Sequence, residues 1–133
     1  MTSPEAFDAG VAHQIGHYAD AVRVPSGYDQ ILVSGTPGLA PDGSLAADMT
    51  GQATQAWHNI EAILSRAGAR LADIVAVRQW VTDAGDVPAY VAVRSKFISH
   101  EPAFMLGVIP GLVRPDILVE VEVIAAVPAR QAP

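Results

Sequence analysis

The chain of 133 residues contains no cysteine. A disulfide scaffold, thiolate-ligated zinc, thiol catalysis and an iron–sulfur cluster are therefore all excluded. Cations are scarce as well: eight Lys and Arg stand against fourteen Asp and Glu, for a formal charge of −6. Nucleic-acid affinity comes mainly from cations meeting phosphates, so this balance argues against a nucleic-acid partner, a ribonuclease role included. No apolar run approaches the roughly 18 residues that span a bilayer. The polar start MTSPEAFDAG does not read as a signal peptide, which fits a cytoplasmic protein with no membrane partner. Apolar residues are plentiful: they make up half of the chain, and mean hydropathy is +0.28. So much apolar surface on one small domain suggests burial between subunits.

No linker, repeat or low-complexity tract divides the chain, so residues 1–133 read as one domain. Residues 1–14 read as a loose arm and 128–133 as a frayed tail. Short β-type runs are expected at Ala19–Val24 and Gln30–Ser34, joined by Pro25-Ser26-Gly27. A helix is expected from about Asp48, a good cap, to Ala67, before Gly68. Its apolar stripe is Met49, Ala53, Ala56, Trp57, Ile60, Ile63, Leu64 and Ala67. Ile74–Thr82 reads as a strand covered on both faces. A second helix follows from Asp86 to His100, with Pro88 tolerated in its first turn. Phe104–Ile109 and Ile117–Val127 read as the last strands. The order β-β-α-β-α-β-β predicts an α+β sandwich with both helices on one face of the sheet. With no third helix, the other face calls for a second copy of the chain, and hence a homo-oligomer.

The last strand carries the clearest chemical signal. Leu118, Glu120, Glu122 and Ile124 share one face, and Val119, Val121 and Val123 the other. Two carboxylates on a mostly apolar strand either meet solvent at an edge or include one that moves protons in a cleft. His13 and His17 stand four apart, but Gly16 interrupts them and no carboxylate follows at helical spacing, so no metal is assigned. His58 and His100 read as helix-surface residues, and Trp57 and Trp80 as core or interface. Ser34-Gly35-Thr36-Pro37-Gly38 is either a tight turn or a loop offering backbone N–H groups to a ligand.

These pieces, in this order, resemble the RidA/YjgF/UK114 family of enamine/imine deaminases. The likeness runs from Gly16 to Ala125. It rests on Tyr18 within GHYADAV, on Leu32-Val33-Ser34-Gly35, on the stretch from AADMTGQATQAW to IVAVRQWVTD, and on LVEVEVIA. The resemblance implies a chorismate-mutase-like fold in a homotrimeric barrel, with small-molecule clefts between subunits. The reaction is hydrolysis of a reactive enamine or imine, with no metal or cofactor. It also implies roles: a tyrosine closing the cleft wall (Tyr18), backbone groups after Ser-Gly (Gly35, Thr36) and a glutamate that positions water (Glu120). In the family, an arginine in a Pro-Ala-Arg segment grips the substrate carboxylate. Here the segment reads Pro102-Ala103-Phe104.

Phenylalanine cannot hydrogen-bond a carboxylate. Loss of a buried charge-assisted pair costs on the order of 2–5 kcal/mol, which predicts poor hydrolysis of 2-aminoacrylate-type imino acids. Phe104, Met105 and Leu106 would then shape a cleft for a neutral or aromatic imine, enamine or enol, to be hydrolysed, deaminated, tautomerised or cyclised. Arg114, on a longer loop, is a candidate replacement cation. The alternative is a non-catalytic trimeric scaffold that binds a small molecule or a partner protein.

Overall fold

The computed structural model describes residues 3–130. Strand β3 (Tyr28–Pro37) leads through a loop to helix α1 (Met49–Arg66). Strand β4 (Ile74–Val81), helix α2 (Val87–Phe97), strand β5 (Ala103–Val108) and strand β6 (Val119–Pro128) follow. Strand order is β3-β6-β4-β5. β6 runs antiparallel to both neighbours, whereas β4 and β5 are parallel because α2 carries the chain back across the sheet. The fold is thus the expected α+β layer of two helices on a mixed sheet.

Local chemistry sets the helix ends. The Asp48 carboxylate accepts from the Gly51 N–H at 2.9 Å and caps α1. At the other end Gly68 takes φ +82°, and the N–H groups of Gly68 and Ala69 return to the carbonyls of Ser65 and Leu64. The buried stripe of α1 differs from the expected one at three positions. Ile63 is 42% exposed and Ala67 is exposed too, while Gln52 is sealed. Gln52 is buried because all its polar valences are met. Its amide donates to the carbonyls of Ala46 and Asp116, both at 2.9 Å, and its Oε1 accepts from the Leu118 N–H at 2.8 Å. One side chain of α1 thereby holds the entry to β6. Gly38 lies so close to the Gln52 backbone that a Cβ there would collide.

The core lies between sheet and helices. Trp57, Ile60, Leu64, Val77, Val81, Tyr90, Val119 and Val121 are fully or almost fully buried. The opposite side of the sheet is uncovered. It carries Leu32, Arg78, Met105, Glu120, Glu122 and Ile124, with Leu32 71% exposed.

Three expectations need correction. The arm is not loose: strand β1 (Glu5–Phe7) pairs with strand β2 (Ala21–Arg23) in a separate two-stranded sheet, and residues 12–14 form a 3₁₀ turn. The Asp20 carboxylate holds it, accepting from the N–H groups of Ala9 (2.6 Å) and Ala12 (2.8 Å). These donors stabilise the charged form and keep Asp20 below the usual carboxylate range. Of the expected run at Ala19–Val24, Ala21–Arg23 pairs in this small sheet, and Ala19 bridges to Ala103 of β5. His100 lies beyond α2, half-buried, with Nε2 at 2.8 Å from the Ile74 carbonyl, and not on a helix surface. In the expected tail, the Ala129 N–H bonds the Gly27 carbonyl at 2.8 Å, and residues 131–133 lie outside the described residues.

Candidate active site

β3 carries one extra residue opposite β6: Val33 pairs with Val123, but Thr36 pairs with Val121. This bulge at Ser34-Gly35 turns Gly35 toward Glu120. The Glu120 carboxylate occupies the space that a Cβ at position 35 would fill, so only glycine permits this approach. The Thr36 side chain is buried, and its hydroxyl donates to the Ser34 carbonyl at 2.8 Å. Position 36 thus has only its main chain to offer a ligand.

The two carboxylates of β6 have different surroundings. Glu122 Oε1 meets Arg78 Nε at 2.6 Å, half in water. Glu120, also half-buried, has no hydrogen bond or ion pair among the described residues. Glu122 is therefore neutralised on the uncovered face, and Glu120 is the carboxylate free to act on a ligand.

Phe104 lies on the other side of the sheet, because it pairs with Val77 on the helix-facing side. Its ring stands 5.5 Å from that of Tyr18. Tyr18 reaches it because the next residue, Ala19, bridges to Ala103 and donates its N–H to the Pro102 carbonyl at 2.9 Å. A cavity of about 820 Å³ opens beside the pair, walled by Val87, Val91, Ile98 and Leu106.

The expected set therefore divides within one chain. Tyr18 and Phe104 come together, as do Gly35, Thr36 and Glu120 on the opposite side. Phe104, Met105 and Leu106 all border this cavity, and Met105 also borders the uncovered face beside Arg78. Arg114 lies in the exposed 110–116 turn, bidentate to Asp116 at 3.0 and 2.7 Å. That carboxylate raises the Arg114 pKa and occupies its fork.

Arg94 was not singled out from the sequence. It is only 8% exposed, and its guanidinium lies 4.2 Å from the centre of the Phe104 ring, in the same cavity. A signal was present: Tyr90, Arg94 and Phe97 follow helical spacing, which puts Arg94 on the inward side of α2. His13 and His17 were set aside for want of a carboxylate, yet the fold supplies two from elsewhere. Glu101 bridges His13 (2.8 Å) and His17 (3.0 Å), and Asp8 meets the other His13 nitrogen at 3.1 Å. Among the described residues no group of His, Asp and Glu is arranged to hold a metal ion, and no helix is long and apolar enough to cross a membrane.

Two helices on one side of a mixed sheet, with the other side uncovered, make the α+β layer that the resemblance to RidA implies. The family model described as endoribonuclease L-PSP matches residues 10–127. A RutC family protein of Pyrococcus abyssi is 30% identical over 94% of this chain and 98% of its own. A 2-iminobutanoate/2-iminopropanoate deaminase of Salmonella typhimurium is 30% identical over 84% of this chain and 88% of its own. A Rid-family protein of Yersinia pestis shares the fold at a TM-score of 0.82, with 23% identity over 96% of this chain and all of that one. The chain belongs to the RidA/YjgF/UK114 family.

Proposed function

We propose that this chain is a RidA-type enzyme that hydrolyses an imine or enamine, or tautomerises the related enol, of a small metabolite. Family membership supports an imine/enamine deaminase-like role, and the deaminase from Salmonella typhimurium carries that activity in its name. The observation that carries the reading is Glu120: a free carboxylate against the Ser34-Gly35 bulge, beside a neighbour already paired with arginine.

Water adds to the carbon of the protonated imine as Glu120 takes one of its protons, giving a carbinolamine. Glu120 passes that proton to the nitrogen and then takes the remaining hydroxyl proton as the C–N bond breaks, so that a ketone and ammonia leave and the last proton goes to ammonia. The main chain at Gly35-Thr36 is suited to orient the imine or steady the developing oxyanion. An enamine enters the same route after protonation at carbon. No metal or cofactor takes part in these steps.

Tyr18 and Phe104 lie across the sheet from Glu120, so one cleft containing all three requires a second copy. The uncovered face with Leu32 and Met105 favours such packing, and the homotrimer of the family resemblance supplies it. Phe104 offers no hydrogen bond to a carboxylate, and the cavity is far larger than a three-carbon imino acid. The preferred substrate is therefore bulkier than 2-aminoacrylate. The acidic balance leaves no basic stripe for RNA.

An amino-acid oxidase can generate imines in situ, with semicarbazide trapping reporting their lifetime. The protein should shorten the lifetime of imines with aromatic or branched side chains far more than that of 2-iminopropanoate. Glu120→Gln should slow turnover about 10²–10⁴-fold. Wild-type rates in that variant, or no acceleration with any imine, would refute the enzyme reading and favour a ligand-binding scaffold.

A further inference from the structure

The cavity beside Phe104 holds a cation that the reaction above does not use. Arg94 has five N–H donors, and one of them, on Nη1, goes to Gln79 Oε1 at 2.9 Å. Gln79 is sealed and cannot turn. Its Oε1 also accepts from the Tyr90 hydroxyl at 2.6 Å, and its amide donates to the Met105 carbonyl at 3.0 Å. The guanidinium is thus held in one place by a partner that is itself held on every side.

What it lacks is an acid. Among the described residues no carboxylate lies within ion-pair distance of Arg94, whereas Arg70, Arg78 and Arg114 each meet one. The groups that act on its charge are the hydroxyls of Tyr90 and Tyr18, and neither is a carboxylate. Burial disfavours the guanidinium charge, and the faces of Phe104 and Tyr90 recover only part of that loss. A fixed, buried, unneutralised guanidinium opening on a cavity is a site for an anion.

We propose that Arg94 is the anion-binding group of this cleft, and that its ligand is a carboxylate carrying an apolar, flat body. The carboxylate meets the free edge of the guanidinium, and the body lies along Tyr18, Val91 and Leu106. The cavity, about 820 Å³, leaves room for a body well beyond three carbons. The inference rests on the reading that the Tyr18–Phe104 cavity is the ligand cleft, and it deepens that reading. The cation lost from β5 is supplied from α2, at a depth that selects larger acids.

Titration calorimetry on the intact protein with 3-phenylpropanoate, its neutral amide and propanoate tests this. The phenyl acid should bind at least about tenfold tighter than either of the others. Arg94→Gln should weaken it about 30-fold, to the level of the amide, and leave the amide unchanged; Arg94→Lys should fall between. Equal binding of acid and amide by the wild type overturns the proposal, as does an undiminished acid preference in Arg94→Gln. Should that variant not fold, the wild-type acid-to-amide ratio and Arg94→Lys decide. The readout is binding, so it separates from turnover. Arg94-dependent binding without imine hydrolysis keeps this inference and removes the enzyme reading. Glu120-dependent hydrolysis with unchanged binding in Arg94→Gln does the reverse.

Discussion

On the uncovered side of the sheet Arg78 meets Glu122 at 2.6 Å, with solvent close by; on the helix side Arg94 is buried against Phe104 with no acid beside it. The two arginines sit on adjoining elements, yet their charges are managed in opposite ways. A solvent-exposed pair contributes about 0–1 kcal/mol, and either partner can be replaced at little cost. A buried, unpaired guanidinium is a standing cost to the fold. The same contrast separates Glu122, which is paired, from Glu120, which is not. Of these four groups, the matched Arg78 and Glu122 belong to the scaffold, and the shielded, unmatched Arg94 and Glu120 are the ones a ligand would complete.

The contrast can be broken most sharply at the carboxylates. Glu120→Gln should lower turnover by about 10²–10⁴-fold, whereas Glu122→Gln should stay within a few-fold. Similar losses in steady-state assays of both would end the distinction. Next comes Gly35→Ala. The new methyl group displaces the Glu120 carboxylate, and a misplacement of this kind lowers turnover about 100-fold. Denaturant unfolding should show a stability change under about 1 kcal/mol, because a flexible side chain yields.

The third test concerns stability alone. Arg94→Met should stabilise the protein by about 1–3 kcal/mol while abolishing carboxylate binding, and Arg78→Met should move stability by less than about 1 kcal/mol. Thermal unfolding checks both, and a destabilised Arg94→Met would show that the cation serves the core.

The smallest effect lies in the N-terminal arm. Its hydrogen bond to Glu101, helped by Asp8, raises the His13 pKa above the usual 6.5. The hold is complete below the unfolded value and fades as pH rises through the higher folded one. The Asp20 contribution has the opposite sign: it is present above 3.8 and lost as pH falls through its lowered value. Amide exchange at Gly10 and Gln14, corrected for intrinsic rates, should therefore quicken as pH rises above 6.5, and His13→Ala should flatten that rise.

Much of the fold was legible because its signals are local. Asp48 and Gly68 bound α1 through hydrogen bonds within a turn of their own positions, and strand alternation sorted Val119, Val121 and Val123 from Glu120 and Glu122. The arm was misread because what holds it is distant: Asp20 and Glu101 act on residues 9–17 from outside that segment. Nothing in the sequence marks Gln52 or Gln79 as buried, since only tertiary contacts satisfy their amides. Within the site, Glu120 and Gly35 could be named, but not the emptiness around one carboxylate and the ion pair on the other. Arg94 went unseen because charge on a helix ordinarily means solvent, and only packing against Phe104 shows otherwise. His13 and His17 lacked visible partners for the same reason.

The extra residue at Ser34-Gly35 also acts as a switch of parity along β3. Before it, odd-numbered Ile31 and Val33 face the helices; after it, even-numbered Thr36 does. Deleting either residue would restore plain alternation and send the remainder of the strand to the wrong side of the sheet, unless the loop toward α1 slid by one position. Insertions and deletions should be tolerated far better between Gly38 and Asp48 than at these two positions.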